Sequence, residues 1–277
     1  MPRITTAFLM FTSFCITVTA QEATLSATDA GATTSAALPA DQLDFHLFLL
    51  VGQSNMAGRG KVTDEDNTPV PNILMMNQQR QWVPAVDPVH FDKPKMVGVG
   101  LSRTFAAEIA KANPGATIGL IPCAVGGSPI SAWEPGGYHP STKTHPYDDM
   151  LPRLQAAMKV GTVKGILWHQ GESDTQPKLA AVYESKLHEL IVRLRGEIGD
   201  DSIPFIVGQL GQFSEKPWNE HRKRVNEAHQ TLPEKVEHTA FVSSDGLDHK
   251  GDQTHFSADA YREFGKRFAA AFVAVTK

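Results

Sequence analysis

Phe45-His46-Leu47-Phe48-Leu49-Leu50-Val51 runs directly into Gly52-Gln53-Ser54-Asn55-Met56-Ala57-Gly58. Apart from His46 the first seven residues are continuously apolar. That pattern suits a strand covered on both faces, as in a parallel sheet. The next seven put a serine beside glycine immediately after the strand. In that position Ser54 can open a helix with its hydroxyl exposed, and its own backbone N–H can face a developing oxyanion. Read alone, the segment is also an ordinary Gly/Ser/Asn turn. It is not the G-x-S-x-G elbow, because Met56 holds the final position.

Outward from this strand, short apolar runs alternate with helical patterns. Further strands are expected at Ile73–Met76, Thr117–Pro122, Val163–His169, Phe205–Leu210 and Thr239–Ser243. Helices are expected at Leu101–Ala112, Tyr147–Met158, Leu179–Ile198, Trp218–Leu232 and Ser257–Val275. The last has Tyr261, Phe264, Phe268 and Phe272 along one face and Ser257 as N-cap. The alternation predicts an α/β fold, a three-layer α/β/α sandwich around a central parallel sheet. No internal repeat and no second domain is evident.

Ligands of such sheets bind outside the carboxyl ends of the strands, and polar segments stand there. Cys123-Ala124-Val125-Gly126-Gly127-Ser128 follows one strand, and either glycine can bring an N–H close to a ligand. His169-Gln170-Gly171-Glu172-Ser173-Asp174 ends another; Gln170 can donate a side-chain N–H, and Glu172 reads chiefly as support for the loop. Near the C-terminus, Asp252 and His255 lie three residues apart, a spacing that lets a carboxylate orient an imidazole to take a proton from serine. Asp248-His249 is a rival pair whose adjacent side chains tend to diverge. His249, Asp252 and His255 form only a loose cluster, without H-E-x-x-H or a cysteine pair, so no metal is expected.

The chain has 277 residues, 41% hydrophobic and 20% charged, with a formal net charge of -4. This fits one soluble α/β domain. The absence of a basic block argues against nucleic acid as a partner. Arg3, the apolar run Ala7–Val18 and the small residues of Val18-Thr19-Ala20 read as an export signal over residues 1–20, cleaved before Gln21. Residues 21–40 read as a flexible Ala/Thr/Ser leader, and residues 41–277 as the folded domain. The mature chain is expected in the periplasm or the medium, without stable membrane association. Removing the signal removes Cys15 and leaves Cys123, read as a buried small hydrophobe.

Four ordered blocks carry a family resemblance: Gly52-Gln53-Ser54-Asn55-Met56; Gly126-Gly127-Ser128 followed by Trp133; Trp168-His169-Gln170-Gly171-Glu172-Ser173; and Asp252-Gln253-Thr254-His255. In these the chain resembles SGNH hydrolases of the sialate O-acetylesterase-like branch, which includes carbohydrate esterase family 6 acetylxylan esterases. The likeness runs from about Asp44 to the C-terminus. It implies a flavodoxin-like fold, no cofactor, and hydrolysis of acetyl esters on carbohydrate. By motif, Ser54 corresponds to the nucleophile, His255 to the base and Asp252 to its orienting carboxylate, with Glu172 a rival for that last role. The oxyanion donors implied are the N–H of Ser54, an N–H of Gly126 or Gly127, and the Gln170 side chain. Gln53, Asn55 and Trp133 are candidate substrate contacts, and Tyr138 is a further aromatic able to stack on a sugar. The substrate expected is acetylated xylan or its oligosaccharides. Alternatives are sialate O-acetyl or general short-chain esters, and a catalytically silent carbohydrate-binding module.

Overall fold

The computed structural model describes residues 1–2 and 35–277; most of the segment read as an export signal, Cys15 and most of the expected leader lie outside the described residues. Seven strands, β1 (Phe45–Gly52), β2 (Ile73–Met76), β3 (Trp82–Pro84), β4 (Thr117–Pro122), β5 (Thr162–His169), β6 (Phe205–Gly208) and β7 (Thr239–Val242), form one sheet in the order β3-β2-β4-β1-β5-β6-β7. Every pairing is parallel except β2 with β3. The sheet is therefore mostly parallel, with an antiparallel edge strand that the sequence pattern did not show. That strand has three residues and ends in Pro84, so it offers no periodicity to read, and proline is tolerated at an edge.

The two-sided burial expected for β1 is present, and it divides the core. Phe45, Leu47, Leu49 and Val51 join a cluster with residues of the helices α3 (Pro146–Met158), α4 (Pro177–Ile198) and α5 (Glu220–Gln230). Phe48 and Leu50 face the other layer, with α2 (Ser102–Ala112) and α7 (Ala258–Val275). Side-chain alternation along the strand produces this division. Two single-turn helices, α1 (Ser54–Ala57) and α6 (Leu232–Lys235), complete the set. In α7, the Ser257 hydroxyl accepts from the Ala260 N–H at 3.2 Å, and Tyr261, Phe264 and Phe268 are fully buried. Each aromatic so buried contributes about 2–3 kcal/mol.

Described structure reaches back beyond Asp41. The Ala36 N–H donates to the Trp82 carbonyl at 2.9 Å, and Ala36 packs on the core, so the end of the expected leader belongs to the domain. β1 lies between β4 and β5, the place where strand order reverses. The loops after these three strands thus meet at the sheet's carboxyl edge, joined by the segment before α7.

Candidate active site

Backbone geometry fixes Ser54. Gly52 has φ +129°, and a Cβ there would stand 2.2 Å from the His169 carbonyl oxygen, so only glycine fits. The Gln53 N–H donates to that same carbonyl at 2.9 Å, which ties the serine loop to the end of β5. Ser54 then opens α1, and the fully buried Met56 anchors the turn in the core. The Ser54 N–H has no acceptor among the described residues.

The segment before α7 brings a histidine to this serine. His255 Nε2 lies 2.9 Å from Ser54 Oγ, and His255 Nδ1 lies 2.7 Å from Asp252 Oδ2. The other Asp252 oxygen accepts from the His255 N–H at 2.8 Å and the Thr254 N–H at 3.1 Å. Partial burial pushes the Asp252 carboxyl up, but the His255 ring and these N–H groups outweigh it and hold the group down at about 2. An ionised Asp252 favours the Nδ1–H tautomer, which leaves the Nε2 lone pair facing the hydroxyl. The rival His249 is engaged elsewhere: its Nδ1 accepts from the Gly251 N–H at 2.8 Å, and its ring packs against Phe213. Glu172 does not approach His255; its Oε1 accepts from Asn55 Nδ2 at 2.6 Å.

Three sequence expectations are corrected by burial. The first concerns Gln170, which is 0% exposed and cannot present its amide to Ser54. Its Nε2 donates to Asp174 Oδ2 at 2.5 Å, Ser128 O at 3.0 Å and Gln53 Oε1 at 3.2 Å, and its Oε1 accepts from the Tyr183 hydroxyl at 2.9 Å. Asn55, also 0% exposed, is an internal strut. Besides Glu172 it donates to the Thr254 carbonyl at 3.0 Å, and its Oδ1 accepts from the Tyr261 hydroxyl at 2.6 Å. Trp133, at 0% exposure, lies edge-on to Trp168 and donates from Nε1 to Ser128 Oγ at 3.0 Å. Neither Asn55 nor Trp133 can touch a substrate, whereas Tyr138 is half exposed beside the His145 ring.

The backbone N–H groups expected at the oxyanion differ in how far they are already committed. The Gly126 N–H donates to Asp92 Oδ2 at 2.7 Å, and Asp92 pairs with Arg59 at 2.6 Å, both side chains being buried. A Cβ at Gly126 would fall 2.4 Å from that guanidinium, so the glycine admits the ion pair. The Gly127 N–H has no acceptor among the described residues. Gln53 immediately precedes Ser54. Its Oε1 is held by Gln170 Nε2 and, at 3.4 Å, by the Ser173 N–H, while its Nε2 has no acceptor among the described residues. Of these groups, the N–H groups of Ser54 and Gly127 and the Gln53 Nε2 have no acceptor among the described residues.

Sequence reasoning missed Arg59, Asp92, Asp174, Tyr183 and Tyr261. Arg59, directly after the serine block, and Asp174, at the end of the His169–Asp174 block, had a local signal. Burial pushes Asp174 up to about 6, against the hydrogen bonds from Gln170 and the Ile130 N–H. Burial likewise pushes the Cys123 thiol up to about 11, and Cys123 packs against the core as an inert side chain. No helix among the described residues is long and apolar enough to cross a membrane.

A hydroxyl, an imidazole and a carboxylate in series at the carboxyl edge of a three-layer sandwich are the arrangement of SGNH ester hydrolases. The family model described as "Carbohydrate esterase, sialic acid-specific acetylesterase" matches residues 44–274, and the chain belongs to that family. A similar curated protein is the probable carbohydrate esterase At4g34215 of Arabidopsis thaliana, 32% identical over 82% of this chain and 90% of that one. The solved structure of the Arabidopsis protein aligns with a TM-score of 0.73 at 31% identity, covering 83% of this chain and 98% of the other. The fold is also that of NanS, with a TM-score of 0.68 at 18% identity over 84% of this chain and 97% of that one. The protein is thus a carboxylic ester hydrolase, a carbohydrate acetylesterase acting on an acetylated carbohydrate.

Proposed function

We propose that this chain is a serine esterase that removes O-acetyl groups from acetylated xylan or its oligosaccharides through an acetyl-enzyme on Ser54. The observation that carries the mechanism is the continuous chain from Ser54 Oγ through His255 to Asp252, with contacts of 2.9 and 2.7 Å. His255 takes the proton of Ser54 as its oxygen attacks the acetyl carbonyl. Charge on the carbonyl oxygen is met by the Ser54 and Gly127 N–H groups and by Gln53 Nε2. His255 then protonates the departing sugar hydroxyl, and water repeats the sequence on the acetyl-enzyme. Gln170 serves as a positioning residue that holds the Gln53 carbonyl. No cofactor takes part in this scheme.

Xylan is supported by the four sequence blocks shared with family 6 acetylxylan esterases. A sialate O-acetyl ester is the second reading, favoured by the family description that matches the chain. Residues 1–20 are read as an export signal, so the enzyme would act outside the cytoplasm; N-terminal sequencing of the mature protein should begin at Gln21.

The test is hydrolysis of 4-nitrophenyl acetate and butyrate by wild type and by Ser54→Ala, matched for folding by circular dichroism. Acetate release from acetylated xylan and from O-acetylated sialic acid follows. Acetate turnover that the variant loses supports the serine mechanism, and the faster natural substrate decides between the two readings. No turnover by folded wild type would favour a silent binding module.

A further inference from the structure

Asp252 orients the His255 ring, but nothing in that pair fixes the distance from the ring to Ser54. The hydrogen bonds of Asp252 run to His255 and Thr254, inside the same turn. The Lys250 N–H to the His255 carbonyl and the Ser257 N–H to the Asp248 carbonyl, both 2.9 Å, are also internal to this segment. Phe256, fully buried, pins the segment to the core. Its hydrogen bonds to the serine turn are made at one residue besides Ser54. Asn55 Nδ2 donates to the carbonyl of Thr254, the residue before His255, at 3.0 Å, and Asn55 Oδ1 accepts from the Tyr261 hydroxyl of α7 at 2.6 Å. Apart from the Ser54–His255 contact, no other hydrogen bond among the described residues crosses between residues 52–58 and 245–261.

Glu172 accounts for the way the Asn55 amide faces. An amide can turn over and exchange its oxygen for its NH2, and a tyrosine hydroxyl can bond to either. A backbone carbonyl and a carboxylate only accept, so two such acceptors side by side require the NH2. Glu172 Oε1 accepts from Asn55 Nδ2 at 2.6 Å, the one hydrogen bond of its side chain among the described residues, and Oε2 is buried without a partner among them. A glutamate bracing its own loop would accept from the N–H groups of that loop. This one reaches across to the residue after the nucleophile.

We propose that Glu172 and Asn55 act together as positioning residues for ester hydrolysis. Glu172 fixes the Asn55 amide, and Asn55 holds the Thr254 carbonyl so that His255 Nε2 meets the Ser54 hydroxyl. Both act through His255 and not on the substrate. This rests on the esterase reading above, and it gives Glu172 a part other than triad acid or support for its own loop. A displacement of about 1 Å at such a contact can cost on the order of 10²-fold in rate.

The test is steady-state hydrolysis of 4-nitrophenyl acetate by Glu172→Leu, Asn55→Asp and Glu172→Gln, each assayed well below its unfolding temperature. Glu172→Leu removes the acceptor, and Asn55→Asp removes both donors without a change of shape. Each should lower kcat and kcat/KM together by about 10–100-fold, with KM within about 2-fold of wild type. Glu172→Gln keeps an acceptor for Asn55 and should stay within about 3-fold of wild type. Phe268→Leu, which weakens the core under α7 away from the site, should leave kcat unchanged and so separates lost stability from lost positioning. Full kcat in folded Glu172→Leu and Asn55→Asp, or a loss confined to KM, would overturn the assignment. So would a loss as great in Glu172→Gln as in Glu172→Leu, which would make the charge of Glu172 the active feature. Should Glu172→Leu not fold, Asn55→Asp and Glu172→Gln decide by the same criteria. Failure of the esterase reading shows separately, as folded wild type without Ser54-dependent 4-nitrophenyl acetate hydrolysis, and takes the positioning role with it.

Discussion

Two polar assemblies meet at Ser54, and they use similar groups to opposite ends. In one, Asp252 and His255 stand at the surface, with side chains 38% and 17% exposed, and the carboxyl is held down at about 2. In the other, Gln53, Gln170, Asp174, Tyr183 and His229 form a network beneath the serine loop, with Tyr183 bonded to His229 Nε2 at 2.8 Å. There burial raises Asp174 to about 6 and lowers His229 to about 3. Contact with water lets the first assembly keep a fixed negative charge behind an imidazole that must gain and lose a proton. Desolvation in the second makes charge costly, so Gln170, Asp174, Tyr183 and His229 serve as a rigid frame behind Gln53. A carboxyl and an imidazole mark a proton-transfer site where they pair directly and solvent or a partner stabilises the charge, as at Asp252 and His255.

Substitutions should separate the two assemblies. The largest effect is expected at Ser54→Ala and His255→Ala, each lowering kcat on 4-nitrophenyl acetate by on the order of 10⁴-fold or more with little change in stability. Gln53→Ala removes one oxyanion donor and should lower kcat by about 10²–10³-fold, measured on the same ester. Gln170→Ala should instead show first as a loss of about 1–3 kcal/mol in denaturant unfolding, because Ser128 O and Asp174 lose their donor. A Gln170 variant of full stability and lost activity would undo the distinction.

The pH response provides the smallest and most specific contrast. Asp252 has its folded pKa below the ordinary 3.8, so its contribution to stability is present above about pH 4 and fades as pH falls toward 2. Asp174 has its folded pKa above 3.8, so its contribution is present at low pH and is lost as pH rises from about 4 to 6. Asp174→Asn should therefore gain on wild type by about 1–3 kcal/mol between pH 4 and pH 7 in urea titrations. An identical difference at both pH values would remove Asp174 from the titrating network.

Much of this was legible in the chain itself. The strand before Gly52 is apolar on both faces, and the Asp252–His255 spacing encodes its own contact, so the parallel core and the carboxylate–imidazole pair follow from local pattern. The bond from His255 to Ser54 spans most of the domain and was reached through strand-end topology and resemblance. What stayed hidden depends on burial. Gln53 and Gln170 are the same residue type at the ends of adjacent strands, and only the depth of Gln170 beside Asp174 shows which amide is free. Asn55 and Trp133 sit in polar blocks, yet their side chains turn inward to Tyr261 and Trp168. Asp92, on an irregular segment, carries no pattern that announces Arg59 and Gly126 as its partners.

The central claim is that Ser54 is the nucleophile, and the most direct test is covalent. The mature enzyme would be treated with a fluorophosphonate, the remaining 4-nitrophenyl acetate turnover followed, and the labelled peptide sequenced by mass spectrometry. The account predicts one adduct, on Ser54, formed in step with loss of turnover and absent from His255→Ala. An adduct on another residue that tracks inactivation, or full turnover by enzyme completely labelled at Ser54, would contradict it.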